Sequence, residues 1–153
     1  ILMCSFISIN ESLTDIQIEY ANEYSKLRGP DETYCVRYNN HTFIHNLLSI
    51  TGEYTLQPFM DENKEIICLY NGEIYNFKDY GNYKSDGESL IPLYKKHGVS
   101  FVEKLDGEYS IVLYDFKNNI IVTATDVFAT KPLWVGRHDD RVAFASYESS
   151  LRR

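Results

Sequence analysis

A chain of 153 residues has the length of one ordinary domain, able to bury roughly two-thirds of its unfolded surface. A net charge of −7 excludes a general phosphate-backbone binder, which needs a basic face. Hydrophobic content of 44% with 24% charged residues fits a soluble globular protein, and 13 Tyr with 8 Phe favour extensive sheet.

The chain opens on "ILMCSFISI", an apolar run with no basic lead and no small-residue cleavage site, far too short to span a bilayer. It reads as a buried strand, and Cys4 within it is either strand core or a nucleophile meant for a chain terminus. From residue 12 the period changes. Leu13, Ile16, Tyr20, Tyr24 and Leu27 recur at intervals of three and four, one face of a helix. Ser12 with Asp15 forms a candidate capping box, and Gly29-Pro30 stops the helix. Segments 33–38 and 42–50 read as strands, and the chain turns loop-like around Gln57-Pro58 and "MDENKE".

"EIICLYNG" is a short apolar run ending in Asn71-Gly72, a turn signal with Glu73 directly after it. An asparagine amide beside a glycine N–H can direct two donors at one oxyanion, and glycine admits a substrate close to the backbone. The same dipeptide is equally the mark of a plain hairpin turn. From Ser85 to Gly98 the chain reads as a second helix capped by Ser85, and Ser100 with Glu103 starts a brief third. The remainder alternates as strands with turns at Asn118-Asn119 and Asp139-Asp140. Two helices flanked by sets of antiparallel strands indicate an α+β sandwich.

Cys4, Cys35 and Cys68 are an odd, widely spaced set with no CxxC pair, so no metal site and a reducing, cytoplasmic setting are expected. Cys68 reads as core. The histidines, His41, His45, His97 and His138, have no ligand spacing. No Walker or pyrophosphatase loop is present to bind ATP.

Seven segments stand in an order and spacing that resembles one family: Cys4-Ser5-Phe6, "RGPD" at 28–31, "LLSI" followed by Gln57-Pro58, "NGEIYNF", "SDGES", "KLDGEYSIVLYD" and "TDVFATKPLW". Together, over essentially residues 1–153, they resemble a class II glutamine amidotransferase domain, most nearly the amino-terminal glutaminase domain of asparagine synthetases. The resemblance implies an N-terminal nucleophile hydrolase fold, a four-layer αββα sandwich of two antiparallel sheets with outer helices. It implies hydrolysis of the glutamine side-chain amide to glutamate and ammonia, with a terminal cysteine as nucleophile. By it Cys4 matches the nucleophile, Asn71 and Gly72 the oxyanion hole, and Glu73 and Asp86 the acids that hold the substrate ammonium. Ser49 and Ile50 match a segment lining the glutamine pocket, and Arg28 has a structural role beneath it. It further implies no cofactor in this domain, with ATP and magnesium confined to a separate synthetase domain or subunit that accepts the ammonia. Neither nucleic acid nor membrane is implied as a partner, and a homo-oligomer is compatible with it.

Three departures accompany the likeness. Leu47 stands where the family has an arginine for the substrate carboxylate. Thr125 and Ala129 replace an arginine and a glycine. Ile1 to Met3 precede Cys4 as leader or added residues, and the amine of Cys4 acts as a base only once they are gone. A second reading keeps the fold without the chemistry, as a structural or partner-binding module.

Overall fold

The computed structural model describes residues 4–49 and 55–152. Among the described residues nine strands form two antiparallel sheets. One sheet has the order β2-β3-β1-β9-β8, built from β1 (Ser5–Ile9), β2 (Glu32–Tyr38), β3 (His41–Leu47), β8 (Trp134–His138) and β9 (Arg141–Ala145). The other runs β4-β5-β6-β7, from β4 (Phe59–Met60), β5 (Ile66–Ile74), β6 (Gly107–Asp115) and β7 (Ile120–Thr125). The inner faces meet in a core of Phe6, Phe43, Ile67, Leu69, Val112, Tyr114 and Phe144. Tyr114 reaches across to donate its hydroxyl to Ser8 at 3.0 Å. Helix α1 (Asp15–Asn22) lies outside the first sheet, and α2 (Leu90–His97) outside the second, as the expected α+β sandwich requires.

α2 follows the usual amphipathic rule: Leu90, Leu93 and Tyr94 pack with Phe101 onto Cys68, Tyr70, Ile111 and Leu113 of β5 and β6. Cys68 is core, as its place in the apolar run indicated.

α1 is different. The expected stripe faces outward, with Ile16 80% and Leu27 63% exposed and Tyr20 and Tyr24 about as open. The helix is seated by its other side. Ile18 and Ala21 touch Ile7, Ile44 and Ala145, and Asn22 exchanges two 2.8 Å amide hydrogen bonds with Asn46. Ser5 donates to the Ser25 carbonyl at 2.7 Å, and Asn46 donates to Ser5 Oγ at 3.0 Å. A satisfied polar layer therefore holds α1, and such a layer leaves no trace in an apolar period. The cap also shifts. Thr14 and Gln17, rather than Ser12 and Asp15, form the capping box, with Thr14 N–H donating to Gln17 at 2.8 Å and Gln17 N–H to Thr14 Oγ1 at 3.3 Å.

The Ser85 cap is absent as well, since residues 86–89 form a short 3-10 turn with no side-chain cap from Ser85 before α2 begins.

Candidate functional site

Asn71-Gly72 is not a turn. β5 continues through both residues to Ile74, in unbroken register with β6, where Asn71 faces Ser110 and Gly72 faces Tyr109. A Cβ on Gly72 would lie 2.1 Å from the Glu108 carbonyl oxygen, and its φ is +148°. Close approach of two strands, rather than chain reversal, therefore demands glycine here.

Strand alternation then assigns the faces. Ile67 and Leu69 point into the core between the sheets, so Asn71 and Glu73 continue that inner row. On the other sheet Phe6 is inward, which puts Cys4 on the inner side, next to the end of β3 that carries Leu47. The Cys4 sulfur accepts the Leu48 N–H at 3.3 Å and lies 3.7 Å from the Leu48 carbonyl oxygen. Burial raises the thiol above its ordinary value, Leu48 opposes that, and the charges of Asp31 and Asp86 add to the rise.

The edge of β5 that faces β4 is organised by side chains beyond that short strand. Alternate N–H groups leave this edge. That of Ile66 meets Asp61 Oδ1 at 2.9 Å, that of Tyr70 meets Gln57 Oε1 at 2.7 Å, and that of Ile74 meets Asp86 Oδ2 at 2.7 Å. Gly72 belongs to the same alternation, and no described residue accepts from its N–H. Asn71 is 4% exposed, and no described residue hydrogen-bonds its side-chain amide. Among the described residues, the Asn71 amide and the Gly72 N–H thus have no hydrogen-bond partner.

Asp86 is fixed from three directions. Its Oδ2 also accepts the Tyr70 hydroxyl at 2.5 Å, and its Oδ1 accepts the Gly87 N–H at 2.9 Å. Glu73 is exposed and faces Glu108 across the β5–β6 ladder. Glu108 in turn receives the Lys131 ammonium at 3.2 Å. Ser49 donates its N–H to Asp31 Oδ2 at 2.7 Å, while Asp31 donates its own N–H to the Leu47 carbonyl at 3.1 Å. Gly29 explains the small residue of "RGPD": a Cβ there would be 2.2 Å from the Asn46 carbonyl oxygen. Arg28 stacks its guanidinium 4.8 Å from the Tyr147 ring centroid. Ile50 and Ile1 to Met3 lie outside the described residues.

Cys4, Leu48 and Asp31 are therefore brought together at the end of β3, the Asp86 charge acts on the thiol, and Asn71 and Glu73 share the inner face of β5. Sequence reasoning missed Tyr70, Gln57 and the Glu108–Lys131 pair. A period-two count along 66–74 would have put Asn71 and Glu73 on one face and Tyr70 on the other. It also passed over His45, which is wholly buried with neither ring nitrogen bonded. Among the described residues no cluster of three His, Cys, Asp or Glu could hold a metal ion, and no helix is long and apolar enough to cross a membrane.

A model of the glutamine amidotransferase domain matches residues 3–153. The protein is 37% identical over 123 residues to an asparagine synthetase [glutamine-hydrolyzing] of Asparagus officinalis, covering 72% of this chain and 20% of that one. It is 34% identical over 134 residues to asparagine synthetase [glutamine-hydrolyzing] 1 of Saccharomyces cerevisiae, covering 82% and 23%. It thus spans about a quarter or less of the length of these relatives. In fold it is similar to the glutamine phosphoribosylpyrophosphate amidotransferase of B. subtilis, with a TM-score of 0.69, 18% identity, and coverage of 97% of this chain and 43% of that one. The chain belongs to the glutamine amidotransferase domain family, as a relative of the glutamine-hydrolysing domains of asparagine synthetases.

Proposed function

We propose that Cys4 is the nucleophile of a glutaminase whose ammonia serves an asparagine synthetase-type reaction in a further domain or subunit. The observation that carries this reading is a half-buried thiol on the inner side of the first sheet, held by the Leu48 N–H and acted on by the charges of Asp31 and Asp86. The thiol gives its proton to a base, and the sulfur attacks the side-chain amide carbon of glutamine. The developing oxyanion takes the Asn71 amide and the Gly72 N–H, a contribution worth roughly 10²–10³-fold per donor in such sites. The protonated base passes its proton to the amide nitrogen, ammonia leaves, and water hydrolyses the thioester to glutamate and free thiol.

The base is the α-amino group of Cys4, with an ordinary pKa of about 7.7–8.0. This requires a polypeptide that begins at Cys4, so Ile1 to Met3 are absent from the active form. Glu73 and Asp86 hold the substrate ammonium. Asp86 is preset for the task, because its three hydrogen bonds fix its orientation. The chemistry needs no cofactor in this domain, and ATP with magnesium belongs to the synthetase part. The setting is cytoplasmic.

The buried, uncharged Leu47 beside Cys4 favours a second reading, a silent module with this fold. Glutamate release from glutamine by the protein beginning at Cys4, compared with Cys4→Ala, separates the two. Release that vanishes in the variant supports catalysis. Equal release in both removes the nucleophile assignment, and none in either leaves the silent module.

A further inference from the structure

Along the side of the sandwich that carries β7 and β8, side chains of the inner faces stand open. Val122 and Ala124 of β7 pack with the cluster under α2, so Ile121 and Thr123 face the first sheet. On that sheet Val135 and Arg137 of β8 lie opposite Phe144 and Val142 of β9, which pack in the core between the sheets, so all four share the inner face. Inner faces of a sandwich normally interdigitate. Here Ile121 is 41% and Val135 56% exposed. A cavity of about 370 Å³ opens at this place, with Ile121, Val142 and Phe144 as its apolar floor. It lies toward the end of the sandwich away from Cys4, because Ile9, at the far end of β1, is the residue that pairs with Ala143.

The rim carries two cations and two anions, Arg137, Arg141, Asp139 and Asp140. One of each is engaged. Arg141 donates to Glu11 at 3.3 Å and lies 3.3 Å from His138 Nδ1, and Asp139 lies 3.2 Å from the same nitrogen. Among the described residues the Arg137 guanidinium and the Asp140 carboxylate have neither an ion pair nor a hydrogen bond. The hairpin that bears them is held in place. Asn10 accepts the Val142 N–H at 2.7 Å and donates its amide to the Asp140 carbonyl at 2.9 Å. A bare anion or a bare cation at this rim would meet one attractive and one repulsive free charge, whereas a molecule carrying both signs satisfies both. Ligand pockets start at roughly 300 Å³, so this one suits a single small molecule. We propose that the cavity binds a free α-amino acid with an apolar side chain, such as leucine or phenylalanine. Its carboxylate meets Arg137, its ammonium meets Asp140, and its side chain covers Ile121, Val142 and Phe144. The proposal stands independently of the reading of Cys4.

Isothermal titration calorimetry of the full chain with L-leucine and L-phenylalanine tests this. Saturable binding of at least one of them, with a Kd at or below about 1 mM, is expected. N-acetyl-L-leucine lacks the cation and L-leucine methyl ester lacks the anion, and each should bind roughly tenfold more weakly or worse than leucine, the scale of one charge-assisted contact. Arg137→Gln and Asp140→Asn alter exposed side chains and should each weaken the free amino acid by a similar factor. No saturable binding of either amino acid overturns the proposal, as does equal affinity for the acetylated or esterified form. Affinity unchanged in both variants places the ligand elsewhere and overturns it too. Should a variant not fold, the methyl resonances of Ile121 and Val142 in the wild type decide: they should shift along the same saturation curve as the heat, and resonances that stay put at saturation exclude this cavity.

Discussion

The Tyr70 hydroxyl donates to Asp86 Oδ2 at 2.5 Å, tying a residue on the outer face of β5 to the carboxylate that begins the turn before α2. Burial and the neighbouring Asp86 charge push the Tyr70 phenol well above its ordinary value, so the proton stays on the tyrosine. Tyr70→Phe removes one of the three bonds that orient Asp86. The expected result is a roughly tenfold fall in kcat/KM for amide hydrolysis, read mainly in KM, with a stability loss of about 1 kcal/mol. Steady-state kinetics and urea unfolding measure the two effects, and an unchanged KM would remove Asp86 from substrate binding.

Asn71→Ala keeps the ladder and deletes one unspent donor. A drop in kcat of roughly 10²–10³-fold with little change in the unfolding midpoint is expected. Gly72→Ala should do more damage by another route, because its Cβ would strike the Glu108 carbonyl. Both the unfolding midpoint and the turnover of that variant should fall.

Ala129 adopts φ of +50°, in the loop that Asp126 pins through the N–H groups of Phe128 and Thr130 and the Thr130 hydroxyl. A non-glycine residue in the left-handed region costs roughly 1–2 kcal/mol, part of which glycine returns as unfolded-state entropy. Ala129→Gly is therefore expected to stabilise the fold by about 0.5–1 kcal/mol, measurable as a higher urea midpoint.

His45 gives the stability its acid limb. Burial lowers its pKa from 6.5 to about 4, so the folded imidazole stays neutral where the unfolded one is protonated. Below pH 6.5 the unfolded state binds the extra proton, and stability falls as pH drops toward 4. The full loss from this group is about 3 kcal/mol. Unfolding midpoints from about pH 7 to 4 should show this slope in the wild type and a shallower one in His45→Phe.

Much of the architecture was legible because strands in this protein alternate or run apolar in the ordinary way, and because α2 obeys its amphipathic period. The seven family segments placed the sandwich and the site residues in one register. Besides the two helix caps, two readings went astray for identifiable reasons. Ile16, Tyr20, Tyr24 and Leu27 have the spacing of a buried face, but α1 is held by the Asn22–Asn46 amides and the Ser5 and Ser25 groups, which a hydrophobic count cannot see. Asn71-Gly72 carries turn chemistry, yet the glycine answers to the Glu108 backbone on the next strand. That constraint is 36 positions away in sequence and appears only when β5 and β6 pair. Asp86 was matched through the family likeness, while its partner Tyr70 lies in an apolar run that gave no polar signal.

The most direct test is the intact mass of natively expressed protein before and after exposure to an electrophilic glutamine analogue, followed by peptide mapping. The expected product is a polypeptide that begins at Cys4, gains one adduct on that residue, and loses the labelling when substrate amide is present. A polypeptide that retains Ile1 to Met3 and stays unlabelled at Cys4 would contradict the assignment of Cys4 as nucleophile.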